Sequence, residues 1–264
     1  MSAPAKIRVL VVDDSAFARQ ALTRMLTAPD IEVVAVAADG EEGVQKTREL
    51  RPDVVTLDVN MPRLGGLQAL ERIMAECPVP VLLLSSLTQE GADVTLRGLE
   101  LGAVDFIDKS SVRGHMNLLS LAPELQAKVR ALASIPLPAR APAALLPVRA
   151  ATAANRAEVV AIGASTGGPP ALQAILPRLP VGFGAAILVV QHMPAGFTRS
   201  LADRLDSRSL LSVREAEDGE AVTPGVVLIA PAGLHLKVRR RGSAVKVVLD
   251  QEPRDALHRP RWTS

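Results

Sequence analysis

Short apolar runs alternate with amphipathic segments through the first half of the chain. Five runs rich in Val, Ile and Leu are typical of buried strands, and they cover residues 7–12, 31–37, 53–57, 79–84 and 104–107. Segments with helical periodicity lie between and after them, near 16–27, 40–50, 66–75, 90–101 and 116–133. Five strand–helix units in succession predict an α/β domain, with one doubly wound parallel sheet and helices on both faces.

A second strand–helix pattern begins near residue 158. The run 185–190 is typical of a fully buried parallel strand. Between the two patterns, the composition shifts to Ala and Pro, and no acidic residue occurs between Glu124 and Glu158. Prolines break helices and extend a linker. We therefore expect a first domain over 1–130, a linker over 131–157 and a second doubly wound domain over 158–264.

Composition excludes several classes of protein. The formal net charge is +2 and aromatic residues make up 2% of the chain, so the sequence does not favour a nucleic-acid partner. Cys77 is the only cysteine, which excludes an intramolecular disulfide and fits a reducing, cytoplasmic location. The first apolar run ends at Asp13, and no run approaches the ~20 residues of a membrane span. We expect neither a signal peptide nor direct membrane insertion.

A serine lies between two glycines where the second pattern turns from strand to helix. The stretch Gly163-Ala164-Ser165-Thr166-Gly167 has the G-x-S-x-G spacing of a nucleophile elbow. The following helix would offer free N–H groups to an oxyanion. A glycine-rich turn of this kind also binds phosphate or a dinucleotide in many α/β folds. A dinucleotide site requires an acid about 20 residues on, and the next acid after Glu158 is Asp203.

His192 supplies a base at a matching position. It follows the apolar run 185–190, and consecutive parallel strands are commonly adjacent in a doubly wound sheet. The carboxyl ends of such strands meet at one edge, so Ser165 and His192 are expected to face each other there. This pairing favours nucleophilic acyl transfer, with His192 as general base. The other histidines, His115, His235 and His258, are expected at the surface or in loops.

Charged and hydroxyl side chains end four strands of the first pattern. Asp13 and Asp14 follow the first strand, Asp58 the third, Ser85 the fourth and Lys109 the fifth. Carboxylates brought together repel strongly unless a cation joins them, and Mg²⁺ prefers such oxygen ligands. A metal-bound carboxylate beside a hydroxyl and a lysine can accept a phosphoryl group.

The first half resembles the receiver domain of two-component response regulators, which is flavodoxin-like. The matching stretches are Val11–Ser15, Leu57–Pro62, Leu84–Ser86 and Asp105–Lys109. The resemblance implies that Asp58 is the phosphoacceptor and that Asp13, Asp14, Asp58 and the Asn60 carbonyl hold Mg²⁺. It also implies that Ser85 and Phe106 form a switch pair and that Lys109 contacts the phosphate. Ser110 stands where the family usually has proline.

Nearly the whole chain resembles the chemotaxis protein-glutamate methylesterases, in which a receiver, a linker and a Rossmann-like esterase domain follow in this order. The likeness rests on Ala161–Gly168, Gln191–Ala202, Glu215–Glu220, Pro224–Gly225 and Ile229–Gly233. It implies hydrolysis of glutamate methyl esters, and deamidation of particular glutamines, on methyl-accepting chemoreceptors. A chemotaxis histidine kinase would be the phosphodonor. Ser165 would be the nucleophile, His192 the base, and Thr166 with nearby N–H groups the oxyanion site.

The family pattern continues past the last residue of the chain. The resemblance implies that a third catalytic residue, an aspartate, lies beyond residue 264, together with further strands. The polypeptide as given is therefore expected to have little esterase turnover. Two interpretations stay open, a phosphorylation-gated methylesterase and a receiver without turnover. After Pro260, Arg-Trp-Thr-Ser replaces the Ser-Val-Asp-Val of the family. Our hypothesis is a one-base shift of the reading frame.

Overall fold

A computed structural model describes residues 6–85, 88–109, 118–135, 157–242 and 244–252. The chain divides into two compact units, Met1–Leu137 and Pro138–Ser264. Several predictions fall outside the described residues: those on Ser86, Ser110, His115 and His258, on most of the linker, and on the terminal Arg-Trp-Thr-Ser. No helix in the described part of the chain is long and apolar enough to cross a membrane.

The first unit is built on a five-stranded parallel sheet. Its strands are β1 (Ile7–Val12), β2 (Ile31–Ala37), β3 (Val54–Asp58), β4 (Val81–Ser85) and β5 (Asp105–Asp108). Their order is β2-β1-β3-β4-β5, and every neighbouring pair is parallel. β2 lies on one side of β1, and β3, β4 and β5 lie on the other. The direction of the strand order therefore changes between β1 and β3, and the carboxyl ends of these two strands border the switch point where such sheets bind ligands.

Helices pack on this sheet: α1 (Ala16–Met25), α2 (Gly40–Leu50), α3 (Gly66–Glu76), α4 (Gln89–Glu100) and α5 (Leu118–Ala133). Side-chain caps fix three of their starts, since Ser15, Asp39 and Thr88 accept backbone N–H groups at α1, α2 and α4. Helix α5 continues through Ala133, three residues past the predicted end of the domain.

Buried apolar residues join α1 and α5 to one face of the first sheet. Val9, Val11, Leu82 and Leu84 of the strands form one cluster with Leu22, Leu125 and Val129 of the two helices and with Leu26, which follows α1. Arg130 of α5 also pairs with Asp30, the residue before β2. On α2, a Cβ at Gly43 would lie 2.8 Å from Val12 Cγ1, so the absent side chain lets this helix approach β1 closely.

The second unit contains a four-stranded parallel sheet and an antiparallel hairpin. The sheet strands are β6 (Val159–Ala164), β7 (Ala186–Gln191), β8 (Ser212–Glu215) and β9 (Val226–Ile229), in the order β6-β7-β9-β8. The helices are α6 (Gly168–Ile175) and α7 (Phe197–Asp206), and the hairpin is β10 (His235–Arg241) with β11 (Ala244–Asp250). Leu236 and Val247 of the hairpin join the core cluster of Leu188 and Leu228.

The expectation that His235 lies at the surface or in a loop is wrong. His235 begins β10 and is fully buried, as is Leu236. The strand enters the core with these first two residues and then emerges, so its last four residues, Val238–Arg241, are exposed. The basic residues that follow His235 lie mainly in the exposed half of the strand, so they do not indicate the burial of His235 itself.

Candidate phosphoryl-acceptor and catalytic sites

An acidic cluster lies at the carboxyl edge of the first sheet. Asp13 directly follows β1 and Asp58 ends β3, and these strands are neighbours. One carboxylate oxygen from each of Asp13, Asp14 and Asp58 lies within 4.8 Å of the others. Asp13 and Asp58 are buried, with exposures of 0% and 1%, whereas Asp14 is exposed. The fold therefore brings together the three carboxylates that the sequence analysis singled out.

Lys109 lies against the two buried carboxylates. Its Nζ is 2.5 Å from Asp58 Oδ2 and 2.8 Å from Asp13 Oδ2. The backbone holds it there, since the Lys109 N–H donates to the Ser85 carbonyl at 2.6 Å. Burial raises the pKa of the Asp58 carboxyl above its ordinary value, although the hydrogen bond from Lys109 acts in the opposite direction. Burial acts to lower the pKa of Lys109, but the bonds to Asp13 and Asp58 outweigh it and raise that pKa.

The acidic cluster has the chemistry of a metal site. Three carboxylates face one ammonium group, which leaves excess negative charge in a largely buried place. Asp13 Oδ2 is buried and contacts the Lys109 cation. Asn60 follows Asp58 closely, and its N–H donates to Asp58 Oδ1 at 3.3 Å. Hard oxygen donors of this kind fit a divalent cation such as Mg²⁺.

Helix α3 begins directly beside Asp58. The N–H of Gly66 donates to the Val59 carbonyl at 3.1 Å. A Cβ at Gly66 would collide with the Asp58 carbonyl oxygen, so the glycine permits this close approach of helix and strand. The turn that follows Asp58 is thus tightly packed against the backbone of Asp58 and Val59.

Ser85 and Phe106 lie on the two strands beyond Asp58. Ser85 ends β4 and is 2% exposed, and Phe106 is buried on β5. The Ser85 hydroxyl oxygen lies 2.5 Å from Thr95 Oγ1 of α4, and Thr95 Oγ1 also lies 2.6 Å from the Gly91 carbonyl oxygen. Ser85 therefore connects the end of β4 to a buried hydroxyl of α4.

The second unit brings Ser165 and His192 to one edge of its sheet. Strands β6 and β7 are parallel, and their last paired residues are Ala164 and Gln191. Ser165 and His192 are the next residues on each strand, and the His192 N–H donates to the Ala164 carbonyl at 3.1 Å. Adjacent strands lie about 4.8 Å apart. Ser165 is exposed and His192 half-buried, so this edge is accessible to solvent.

The turn around Ser165 leads directly into α6. The Ser165 carbonyl accepts the Gly168 N–H at 2.8 Å, and Gly167 has a φ of 75°, which favours glycine. Thr166 lies between Ser165 and Gly167, two residues before the helix begins at Gly168. Free N–H groups at a helix start attract negative charge.

Gln191 links the two predicted catalytic residues. Its side-chain Nε2 donates to the Ser165 carbonyl at 3.1 Å and to the His192 carbonyl at 3.0 Å. The side chain is 1% exposed, and a Cβ at Gly168 would collide with its Oε1. One buried amide therefore fixes the backbone on both strands at the point where Ser165 and His192 leave the sheet.

Two family models cover most of the chain. Residues 9–118 match the response regulator receiver domain, and residues 160–262 match the CheB methylesterase. A protein-glutamate methylesterase/protein-glutamine glutaminase of Nitratidesulfovibrio vulgaris is 48% identical over 285 residues, covering 96% of this chain and 77% of the relative. A protein of the same name from Symbiobacterium thermophilum is 50% identical over 264 residues, covering 94% and 72%. The chain belongs to the protein-glutamate methylesterase family.

Membership in this methylesterase family confirms the function expected from the sequence. The chain is a chemotaxis response regulator with a receiver and a methylesterase domain in the predicted order. The relatives do not favour the alternative of a receiver without an enzyme. The two parallel sheets agree with the doubly wound α/β architecture expected for each half of the methylesterase.

Sequence reasoning on this methylesterase missed Gln191 as a participant in the site. A glutamine that ends an otherwise apolar, buried strand was a possible signal, because a buried amide requires hydrogen-bond partners. Its partners could not be inferred, since both are backbone carbonyls in turns whose geometry the sequence does not specify.

Proposed function

We propose that Ser165 and His192 of this chain hydrolyse methyl esters of glutamate side chains on chemoreceptors, and deamidate specific glutamines there. The observation that carries the proposal is their position on adjacent parallel strands, tied by the Gln191 amide. A serine and a histidine at one sheet edge form the minimal arrangement for nucleophilic acyl transfer, so we expect reduced but measurable turnover even without the aspartate that the resemblance places beyond residue 264.

The reaction would follow two acyl-transfer steps. Ser165 Oγ attacks the ester carbonyl while His192 takes the hydroxyl proton. Thr166 and N–H groups at the start of α6 bind the resulting oxyanion. Collapse expels methanol, which receives the proton from His192, or ammonia when the substrate is a glutamine. Water then attacks the acyl-serine with His192 again as base, which releases the glutamate carboxylate and restores Ser165.

In the receiver, Asp58 would accept a phosphoryl group from a chemotaxis histidine kinase. Asp13, Asp14, Asp58 and the Asn60 carbonyl would hold Mg²⁺, which when bound balances the charge of the phosphoryl group. Lys109 already contacts Asp58 and would contact the phosphate. Ser85 and Phe106 would carry the response toward α4 and β5. Phosphorylation of Asp58 would raise the esterase activity.

Phosphoryl labelling with acetyl phosphate tests the receiver half of the proposal. We expect Mg²⁺-dependent labelling of the wild-type chain and none of Asp58→Asn. Asp30→Asn is the matched control, because Asp30 lies outside the acidic cluster and pairs with Arg130. Equal labelling of Asp58→Asn, or labelling after chelation of divalent metal, would refute the assignment.

Methanol release from a methylated receptor tests the esterase half. Ser165→Ala should abolish it, while Ser212→Ala, the same change at an exposed serine of β8, should retain it. A reagent that acylates active-site serines should label the wild-type chain at Ser165. Labelling at another serine with full retention of methanol release in Ser165→Ala would exclude Ser165 as nucleophile.

A further inference from the structure

Three cations share one face of the β10–β11 hairpin. Arg239 and Lys246 are directly paired across the strands, so their side chains project from the same face. Arg241 lies two residues beyond Arg239 and therefore on that face as well. All three residues are exposed. Like charges directly opposite each other destabilise a strand pair, so this arrangement costs the hairpin stability.

The neighbouring cations of the hairpin are neutralised, in contrast to these three. Lys237 pairs with Asp250 at 2.8 Å, and Arg240 on the opposite face pairs with Glu158 at 2.8 Å. Within the described part of the chain, no carboxylate forms an ion pair with Arg239, Arg241 or Lys246. Two cations of the hairpin are therefore paired with carboxylates, whereas Arg239, Arg241 and Lys246 are available to a ligand.

These three side chains line a pocket. The pocket has a volume of about 290 Å³, and its other lining residues are Asp218, Gly219, Val247 and Val248. Asp218 is the one acid in this set, and its Oδ1 accepts the Leu249 N–H at 2.8 Å. Three cations against one anion leave the lining with an excess of two positive charges. A concave, basic surface of this size fits carboxylate groups of a ligand.

The pocket lies apart from the catalytic edge of the same unit. Arg240 pairs with Glu158, which immediately precedes β6, whereas Ser165 follows the last residue of β6. A strand of six residues spans about 20 Å. The turn end of the hairpin is thus near the amino edge of the sheet, whereas Ser165 follows the carboxyl end of β6. The lining residues Asp218 and Gly219 follow β8, which β7 and β9 separate from β6. A ligand of this pocket reaches Ser165 only when it is long.

We propose that this pocket, lined by Arg239, Arg241 and Lys246, is a second substrate-binding site for a glutamate-rich segment of the protein substrate. The inference rests on the proposed function, because hydrolysis of each glutamate ester adds one negative charge to the substrate. A substrate that already carries free glutamates is then held at the hairpin while another ester reaches Ser165. Salt weakens this contact, since the cations are exposed.

A peptide-binding measurement tests the proposal without requiring turnover. The probe is a fluorescein-labelled helical peptide with several glutamates, and the reference probe carries glutamines in their place. Lys246→Glu is the decisive variant, because it places a carboxylate opposite Arg239 and so keeps or raises hairpin stability. Arg178→Glu is the matched control, an equal charge change at an exposed residue outside the hairpin.

We expect the full chain to bind the glutamate peptide more tightly than the glutamine peptide, with affinity falling as salt is added. Lys246→Glu should raise the Kd for the glutamate peptide at least about fivefold, and Arg178→Glu should leave it unchanged. Equal binding of the two peptides, or equal binding by Lys246→Glu and wild type, would overturn the proposal. So would Lys246-dependent binding of phosphatidylglycerol vesicles without peptide binding, which would indicate a lipid surface instead.

Steady-state kinetics separate this proposal from the proposed function. With a methylated receptor, Lys246→Glu should raise KM and leave kcat unchanged, and it should not affect hydrolysis of a short methyl-glutamate peptide that cannot reach the hairpin. Absence of hydrolysis by the wild-type chain would count against the proposed function, while the binding measurement would still decide the second site. An unchanged KM for the receptor would contradict the second site alone.

Discussion

At the scale of single residues, buried side chains of this methylesterase hold the candidate site residues in place. Gln191 donates to the carbonyls of both Ser165 and His192, and Lys109 contacts both buried carboxylates of the receiver. Each is almost fully buried, so its partners are fixed by the fold. Loss of such a group leaves buried acceptors without partners.

Replacing Gln191 by leucine should lower kcat with little change in KM. The leucine keeps most of the buried volume but removes two hydrogen bonds, each worth about 1 kcal/mol, so the rate should fall about tenfold or more. The measurement is the steady-state release of methanol from a methylated receptor. A Gln191→Leu chain with unchanged kcat, folded by circular dichroism, would show that the amide does not position the catalytic residues.

The sequence was sufficient to predict that the site residues lie close together, but not to predict one class of contact. The βαβ connection places Ser165 and His192 at one edge, and the ends of β1, β3 and β5 gather Asp13, Asp58 and Lys109. The contacts of Gln191, and of Ser85 with Thr95, depend on side-chain rotamers and turn geometry. A linear pattern of polar and apolar residues does not specify these.

At the scale of elements, the hydrophobic pattern predicted the bounds of the first two strands and displaced those of the other three by one or two residues. β1 and β2 have the predicted bounds, but β3, β4 and β5 start one or two residues later than predicted and end one residue later, at Asp58, Ser85 and Asp108. These polar residues still pair in the ladder, Asp58 with Leu84 and Ser85 with Asp108. Chemistry at the strand ends therefore interrupts the apolar pattern before the strand itself ends.

The contact between α3 and β3 should be sensitive to a single methyl group. Gly66→Ala introduces a Cβ that collides with the Asp58 carbonyl oxygen, so we expect it to destabilise the receiver by about 1–3 kcal/mol. Gly65→Ala is the matched control, because its Cβ would lie 4.0 Å from the nearest neighbour, the Met61 carbonyl oxygen. Urea unfolding measures both. Equal stabilities of the two variants would contradict the close approach inferred here.

The thiol of Cys77, at the end of α3, should report the unfolding of this unit. Burial raises the pKa of the Cys77 thiol, and the Glu76 carboxylate acts in the same direction. Less thiolate is therefore present at pH 8 than for an ordinary cysteine, and access is also blocked. Reaction with a thiol reagent should be slow in the native chain and become fast in urea. Rapid reaction under native conditions would show that the end of α3 is open.

At the scale of the whole molecule, one chain joins a receiver to a methylesterase, and each unit has its own sheet and core. The family matches cover both units in the order that the sequence predicted. We propose that the combination of the two units serves control of the esterase. Phosphoryl transfer to Asp58 would change the rate of a reaction that takes place at Ser165.

The most direct test of this account is the rate of methanol release from a methylated receptor, measured with and without acetyl phosphate and Mg²⁺. The account predicts that the wild-type chain accelerates when phosphodonor is added. Asp58→Asn should stay at the basal rate under both conditions, and Ser165→Ala should release no methanol under either. Methanol release by Ser165→Ala at the wild-type rate, or equal acceleration of Asp58→Asn, would contradict it.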